Sequence, residues 1–147
     1  MEKTEQYRLL ERQVAALVEG ETDVIAKMAN IAAALHETFG FWWTGFYRVA
    51  GEELLLGPFQ GPVACMHIPY GKGVCGTAWK RNETVVVPDV EEFPGHIACS
   101  SASKSEIVVP VHGTGGEVTA VLDIDSDRLA TFGEEDRVWL ERIVTLL

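Results

Sequence analysis

Bases are scarce in this chain: 12 lysines and arginines stand against 22 aspartates and glutamates, a formal net charge of −10. DNA and RNA binding relies on phosphate neutralisation by Lys and Arg, so this balance argues against a nucleic-acid partner. No stretch approaches the ~18 consecutive apolar residues of a membrane span. The opening residues, Met1 to Gln6, are polar with no apolar signal region behind them, and a cytoplasmic location is the expectation. Cysteine is also sparse, with three in 147 residues. An odd count in a reducing compartment does not make a disulfide framework. No Cys-x-x-Cys occurs. Cys65-x-His67 and His96-x-x-Cys99 supply four candidate zinc ligands, but Cys-x-His is not a common zinc spacing, so no metal site is expected. Neither an internal repeat nor a linker interrupts the chain, and one domain over residues 1–147 is expected, long enough to build a core.

The apolar residues that are present fall into clear periods. Residues 5–19 read as an amphipathic helix, with Tyr7, Leu10, Val14, Leu17 and Val18 on one stripe, Thr4 as N-cap and Gly20 as stop. That stripe packs on the core or on a partner subunit. A second helix is expected over residues 23–39, capped by Thr22 and closed by Gly40, with Val24, Met28, Ile31, Leu35 and Phe39 facing inward. The period then shortens to two. Residues 41–49 read as a strand with Trp43, Gly45 and Tyr47 on one face and Trp42, Thr44, Phe46 and Arg48 on the other. Ala50-Gly51 turns the chain into a return strand over 53–56, which Gly57-Pro58 ends, and an irregular segment follows through Cys65 to Pro69.

Gly71-x-Gly73-x-x-Gly76 has dinucleotide-binding spacing, yet no apolar strand precedes it and the acid sought about 20 residues on is missing. These glycines are better read as tight turns at the start of a short helix over 77–81. A short strand over 84–87, a long loop over 89–105, a hairpin of strands 107–112 and 117–125, and a helix over 134–147 complete the chain. The last helix offers Val138, Leu140, Ile143, Val144 and Leu147 to a core. The order of elements is α+β, with helices packed on an antiparallel sheet of about six strands.

Three sets of residues could carry chemistry. Cys99 lies in a run of small hydroxyl residues with His96, Lys104 and Glu106 nearby, where a thiol suits reaction better than packing. With Cys65 and Cys75 it could run a redox cycle in which one thiolate attacks and another resolves the sulfenic acid. Cys75, in the turn into an apolar helix, also fits an inert buried thiol. The second set is Glu106, Asp123 and Asp125; two acids at i and i+2 on one strand face repel unless water or a cation lies between them. Together they could hold an ammonium group or a metal. The third set is Trp43 and Tyr47, which share a face with Gly45 and leave room for a small molecule against their rings.

Cys65-Met-His-Ile-Pro-Tyr-Gly-Lys-Gly-Val-Cys75-Gly-Thr-Ala-Trp79, Gly95-His-Ile-Ala-Cys99-Ser-Ser-Ala-Ser-Lys-Ser-Glu106 and Val121-Leu-Asp-Ile-Asp-Ser126 closely resemble the free methionine-(R)-sulfoxide reductases, small enzymes built on a single GAF domain. The resemblance covers essentially the whole chain. It implies a GAF-like fold, with Cys99 as nucleophile, Cys65 as resolving partner and Cys75 as an auxiliary thiol. It further implies that Glu106 binds and protonates the sulfoxide oxygen. Asp123 and Asp125 would hold the substrate ammonium, and Trp43 and Tyr47 would wall the methyl-sulfinyl end. Thioredoxin as external reductant, no bound cofactor and a homodimer are the corresponding expectations. A GAF sensory module that binds a small ligand without turnover is the alternative, although such a pocket has no need of three thiols.

Overall fold

The computed structural model describes residues 1–96 and 102–147. Helices α1 (Lys3–Val18) and α2 (Val24–Phe39) lead into strands β1 (Trp43–Ala50), β2 (Glu53–Gln60) and β3 (His67–Pro69). Helix α3 (Gly73–Arg81), strand β4 (Val85–Val87) and a 3-10 turn at Val90–Glu92 follow, then β5 (Ser105–His112), β6 (Val118–Ser126) and α4 (Glu134–Val144). The strands form one antiparallel sheet in the order β3-β2-β1-β6-β5-β4. The α+β expectation with six strands is met.

Strand alternation divides the core between the two faces of the sheet. Phe46, Ile107, Val109, Val111, Ala120, Leu122 and Ile124 meet the apolar stripes of α1, α2 and α4 on one face. Trp43, Tyr47, Val108 and Val121 face the other way, against Ile68 of β3 and Val74, Cys75 and Ala78 of α3. The large cluster under three helices supports the sheet. The smaller one, under a single short helix, leaves space for a cavity.

Several boundaries differ from expectation for local reasons. The N-caps are Glu2 and Asp23, one residue or more from Thr4 and Thr22. Asp23 accepts from the amides of Ile25 (2.9 Å) and Ala26 (3.2 Å), a carboxylate satisfying the open helix end. Thr4 instead donates to Glu135 at 2.6 Å. Pro58 does not end β2: it falls where the β1–β2 register slips between Gly45 and Tyr47, an irregularity that tolerates a missing amide proton. Tyr7, Leu10, Val14 and Val18 of the α1 stripe are buried within this chain, while Leu9 of the same helix is exposed. Leu17, Val24 and Val138, expected inside, are exposed.

Tyr7 and Asp136 fasten α1 to the start of α4. Buried Asp136 accepts from Tyr7 Oη at 2.6 Å, Lys3 Nζ at 2.8 Å and the Gly133 amide at 2.9 Å. Three donors on one buried carboxylate satisfy its lone pairs and cap α4.

Candidate active site

Register places the site. Asp125 of β6 lies opposite Trp43 of β1 on one side and Glu106 of β5 on the other. Asp123, two residues back, lies between Gly45 and Val108 in the same way. Three central strands thus raise Trp43, Asp125 and Glu106 in one row and Asp123 in the next, all on the α3 face. Gly45 is required there. A Cβ at this position would sit 2.3 Å from Phe59 Cβ and 2.7 Å from the Trp43 ring, so only glycine lets the indole fold across the strand. Trp43 then stacks between Phe59 (5.2 Å) and Tyr47 (5.9 Å).

Both aromatics are anchored at their polar ends. Trp43 Nε1 donates to the Pro62 carbonyl at 3.0 Å and Tyr47 Oη to the Cys65 carbonyl at 2.8 Å. These two bonds hold the backbone of the irregular segment over the sheet edge. Across from them, Gly71 and Gly73 both take positive φ, 74° and 63°, at the entrance to α3. That bend brings Val74 and Cys75 down onto the strands, as expected of the glycine turns, although α3 starts four residues earlier than Thr77. The long loop leaves and returns at one place. The Val90 amide donates to the Lys104 carbonyl at 3.0 Å, and the Lys104 amide to the Ser126 carbonyl at 2.7 Å.

These elements enclose a cavity of about 60 Å³ whose walls include Trp43, Tyr47, Cys75, Glu106, Asp123 and Asp125. Six of the eight expected site residues therefore meet in one place. Cys65 does not line it, but its neighbours Val63 and Ala64 do. Cys65 is disulfide-bonded, whereas Cys75 is a free, buried thiol. Cys99 lies outside the described residues. No Lys or Arg is among the described residues around the cavity, and Lys104 is exposed.

Three carboxyls share this space. Burial, and after it the charges of Asp123 and Asp125, pushes the Glu106 carboxyl well above the usual range. Asp125 rises well above its ordinary value too, through burial and then Asp123. It also accepts from Ser103 Oγ at 3.2 Å. Asp123 is raised by burial, but hydrogen bonding with Glu106, Asp125 and Cys75 and the nearby His96 all pull it back. Of the three, Asp123 has the most contacts favouring its charged form, whereas burial and like charge push Glu106 and Asp125 both towards the protonated form. Burial likewise lifts the Cys75 thiol well above its ordinary value, with Asp123, Glu106 and Asp125 adding to it. Cys75 is accordingly a neutral thiol and a poor nucleophile.

One carboxylate oxygen, Asp123 Oδ1, is buried without a hydrogen-bond partner. An orphaned anionic oxygen beside two further acids is arranged to receive a cation. Cys75 Sγ and one oxygen each of Glu106 and Asp123 lie within 4.8 Å of one another, with Cys75 Sγ 4.0 Å from Glu106 Oε2, so an ammonium group or a metal ion matches the space by charge. Of the ligands first considered for zinc, His67 pairs with Glu53 at 2.8 Å on the surface and His96 lines the cavity, while Cys99 lies outside the described residues.

Trp42, Ile68, Val74, His96 and Ser103 also line the cavity. Trp42 was expected on the opposite face from Trp43, but it precedes the first strand residue and escapes the alternation. His96 and Ser103 lie in the motif that brackets Cys99, which is the one signal that points to them. Burial lowers the His96 pKa, against the pull of Asp123.

A six-stranded antiparallel sheet with three helices on one face and a small acid- and aromatic-lined cavity under a short helix on the other is an α+β architecture with a built pocket. The GAF domain family model matches residues 19–147. Over 148 residues the chain is 47% identical to the free methionine-R-sulfoxide reductase of Escherichia coli, covering 100% of this chain and 89% of that protein. GAF domain-containing protein A of Dictyostelium discoideum is 56% identical over 146 residues, with 99% and 92% covered. The crystal structure of free methionine-R-sulfoxide reductase from Neisseria meningitidis in complex with its substrate superposes with a TM-score of 0.97 at 49% identity, covering 99% of this chain and 88% of that one. The chain belongs to the GAF domain family and, within it, to the free methionine-R-sulfoxide reductases.

Proposed function

We propose that this protein reduces free L-methionine-(R)-sulfoxide to methionine. The observation that carries the proposal is the buried carboxyl trio, with its unpartnered Asp123 oxygen, facing the Trp43–Tyr47 wall across one small cavity. An amino acid sulfoxide has an ammonium group for the acids and a compact methyl-sulfinyl end for the aromatics. Its sulfur becomes electrophilic once its oxygen accepts a proton, and Glu106, whose carboxyl burial pushes towards the protonated form, is the donor in this reading.

In this reading the Cys99 thiolate attacks the substrate sulfur. The oxygen passes to Cys99, methionine leaves reduced by two electrons, and Cys99 becomes a sulfenic acid. The Cys65 thiol condenses with it, releasing water and forming a disulfide that an external dithiol such as thioredoxin reduces. The disulfide-bonded state of Cys65 supports its part in this cycle. The position of Cys75, buried with its Sγ 4.0 Å from Glu106 Oε2, supports the part of an auxiliary thiol. The cycle needs a compartment where dithiols stay reduced, the cytoplasm, and among the described residues no helix is long and apolar enough to cross a membrane. A homodimer is the assembly we expect.

Enclosure and the acids together select the free amino acid. A methionine sulfoxide residue inside a polypeptide has no ammonium group, leaves Asp123 unpaired and brings chain that the cavity has no room for. With dithiothreitol as reductant, methionine should appear from the free sulfoxide while an oxidised peptide is left almost untouched. Equal turnover of both substrates contradicts the proposal. Binding without turnover favours the sensory-module reading instead.

A further inference from the structure

Cys75 is neither the attacking nor the resolving thiol of the cycle above, yet it occupies the most acidic corner of the cavity. It lies in the first turn of α3, 4% exposed, with its Sγ 4.0 Å from Glu106 Oε2. That sulfur, one Glu106 oxygen and one Asp123 oxygen lie within 4.8 Å of one another, and all three residues are buried. Tetrahedral zinc, with sulfur at about 2.3 Å and oxygen at about 2.0 Å, sets these two kinds of donor about 3.5 Å apart. The Cys75–Glu106 edge therefore needs to close by only roughly 0.5 Å.

A separate observation asks for a cation here. Asp123 Oδ1 is buried without a hydrogen-bond partner. Asp123 is 6% exposed and lines the cavity, so the partner that this oxygen lacks has to come from that space. Among the described residues no Lys or Arg lines the cavity to supply it. Anionic donors gathered out of water with no fixed counter-charge are costly until a cation joins them. The donor set also selects the cation. Magnesium and calcium take oxygen ligands, whereas one sulfur with two carboxylate oxygens suits zinc and ions of similar softness. His96 lines the same cavity, and its ring or a water can take the fourth position.

We propose that the substrate-free pocket binds one zinc-class divalent cation through Cys75 Sγ, Glu106 and Asp123, and that this cation and the substrate's ammonium group exclude each other. The thiol proton passes to solvent as the sulfur–metal bond forms, and no electrons move. Cys65 is disulfide-bonded while Cys75 keeps its thiol, so the donors are complete in the disulfide form and a bound metal blocks the next substrate. The exclusion rests on the reductase reading given above; the metal binding does not.

The disulfide form is titrated with cobalt(II), a zinc surrogate whose bond to a thiolate gives an ultraviolet charge-transfer band, for the unsubstituted protein, Cys75→Ser and Asp123→Asn. One cobalt per chain with that band is expected, displaced by zinc and indifferent to excess magnesium. Loss of an outer-shell partner costs about 10- to 100-fold in metal affinity, so loss of a direct ligand should cost at least as much in both variants, and Cys75→Ser should lose the band. The disulfide form does not turn over, so free methionine-(R)-sulfoxide acts on it as a ligand alone. It should erase the band at concentrations where glycine, which chelates cobalt alike but has no side chain for Trp43 and Tyr47, leaves it intact. No band, a band that persists in Cys75→Ser, or an affinity unchanged in Asp123→Asn overturns the proposal. Cobalt bound without the band, as at the surface His67–Glu53 pair, does so too. If a variant does not fold, the displacement in the unsubstituted protein decides. A sulfoxide that binds the metal-free protein by calorimetry yet leaves the band in place overturns the exclusion. A sulfoxide that does not bind even the metal-free protein sinks the reductase reading and the exclusion with it, while the band still decides the metal site.

Discussion

Replacing Asp123 by Asn should weaken catalysis and strengthen the fold at once. Asp123 sits in the middle of β6, 6% exposed, with one oxygen unpartnered and two other acids beside it. Asn keeps the shape and brings amide protons that Glu106 and Asp125 can accept, but it cannot balance an ammonium group. Removing one side of a buried charge pair costs about 2–5 kcal/mol, so kcat/KM for the free sulfoxide should fall by about 30-fold to several thousand-fold. Asp125 remains nearby, which favours the lower end. Without substrate the sign reverses. The folded-state pKa values of all three carboxyls are raised, so each destabilises the fold once the pH exceeds its unfolded value, near 4, and the penalty grows as pH rises toward the folded value. The variant should therefore melt higher than the parent at pH 8, by roughly 2–4 °C for each kcal/mol relieved, and the difference should close near pH 4. Calorimetry at the two pH values and coupled kinetics read both effects. A fall in kcat/KM of less than about threefold, or a lower melting temperature at pH 8, refutes this account of the trio.

Other consequences follow from the same geometry. Glu106→Gln should lower kcat by about 10²- to 10⁴-fold as the proton donor is lost. The parent's rate should fall as pH rises through the raised Glu106 pKa, and a pH–rate profile should show that limb missing from the variant. Gly45→Ala places a Cβ against Phe59 and the Trp43 ring, so about 1–3 kcal/mol of stability should be lost in urea unfolding, with KM for the sulfoxide raised as Trp43 moves. Asp136→Ala strands the buried Tyr7 hydroxyl and the Lys3 ammonium and should cost about 2–4 kcal/mol in the same assay, with kcat/KM intact because α1 lies on the far face of the sheet.

The helices and the hairpins were legible because their apolar periods are long and their stops are glycines. Gly20 and Gly40 take positive φ at the ends of α1 and α2 as their positions suggested. Alternation along β6 put Asp123 and Asp125 on one face with no help from a partner strand. What alternation could not carry was register: that Asp125 stands between Trp43 and Glu106 depends on β1, β6 and β5 being neighbours, a long-range fact. The α1 stripe shows the same limit from the other side, since whether α2 and α4 or a second chain cover it is decided by tertiary packing. Trp42 and Pro58 were misplaced because each lies where a rule of strand interiors stops applying, one before the strand begins and the other at a slip in the β1–β2 register. The thiols were legible as a set, but which of them faces the acids was not; the bend at Gly71 and Gly73 brings Cys75 there.

The most direct measurement is NADPH consumption with thioredoxin, thioredoxin reductase and each epimer of free methionine sulfoxide, using the parent protein and Cys99→Ser. The account predicts turnover of the R epimer alone, abolished by the substitution. Turnover of the S epimer at a comparable rate, or full activity in Cys99→Ser, would contradict it.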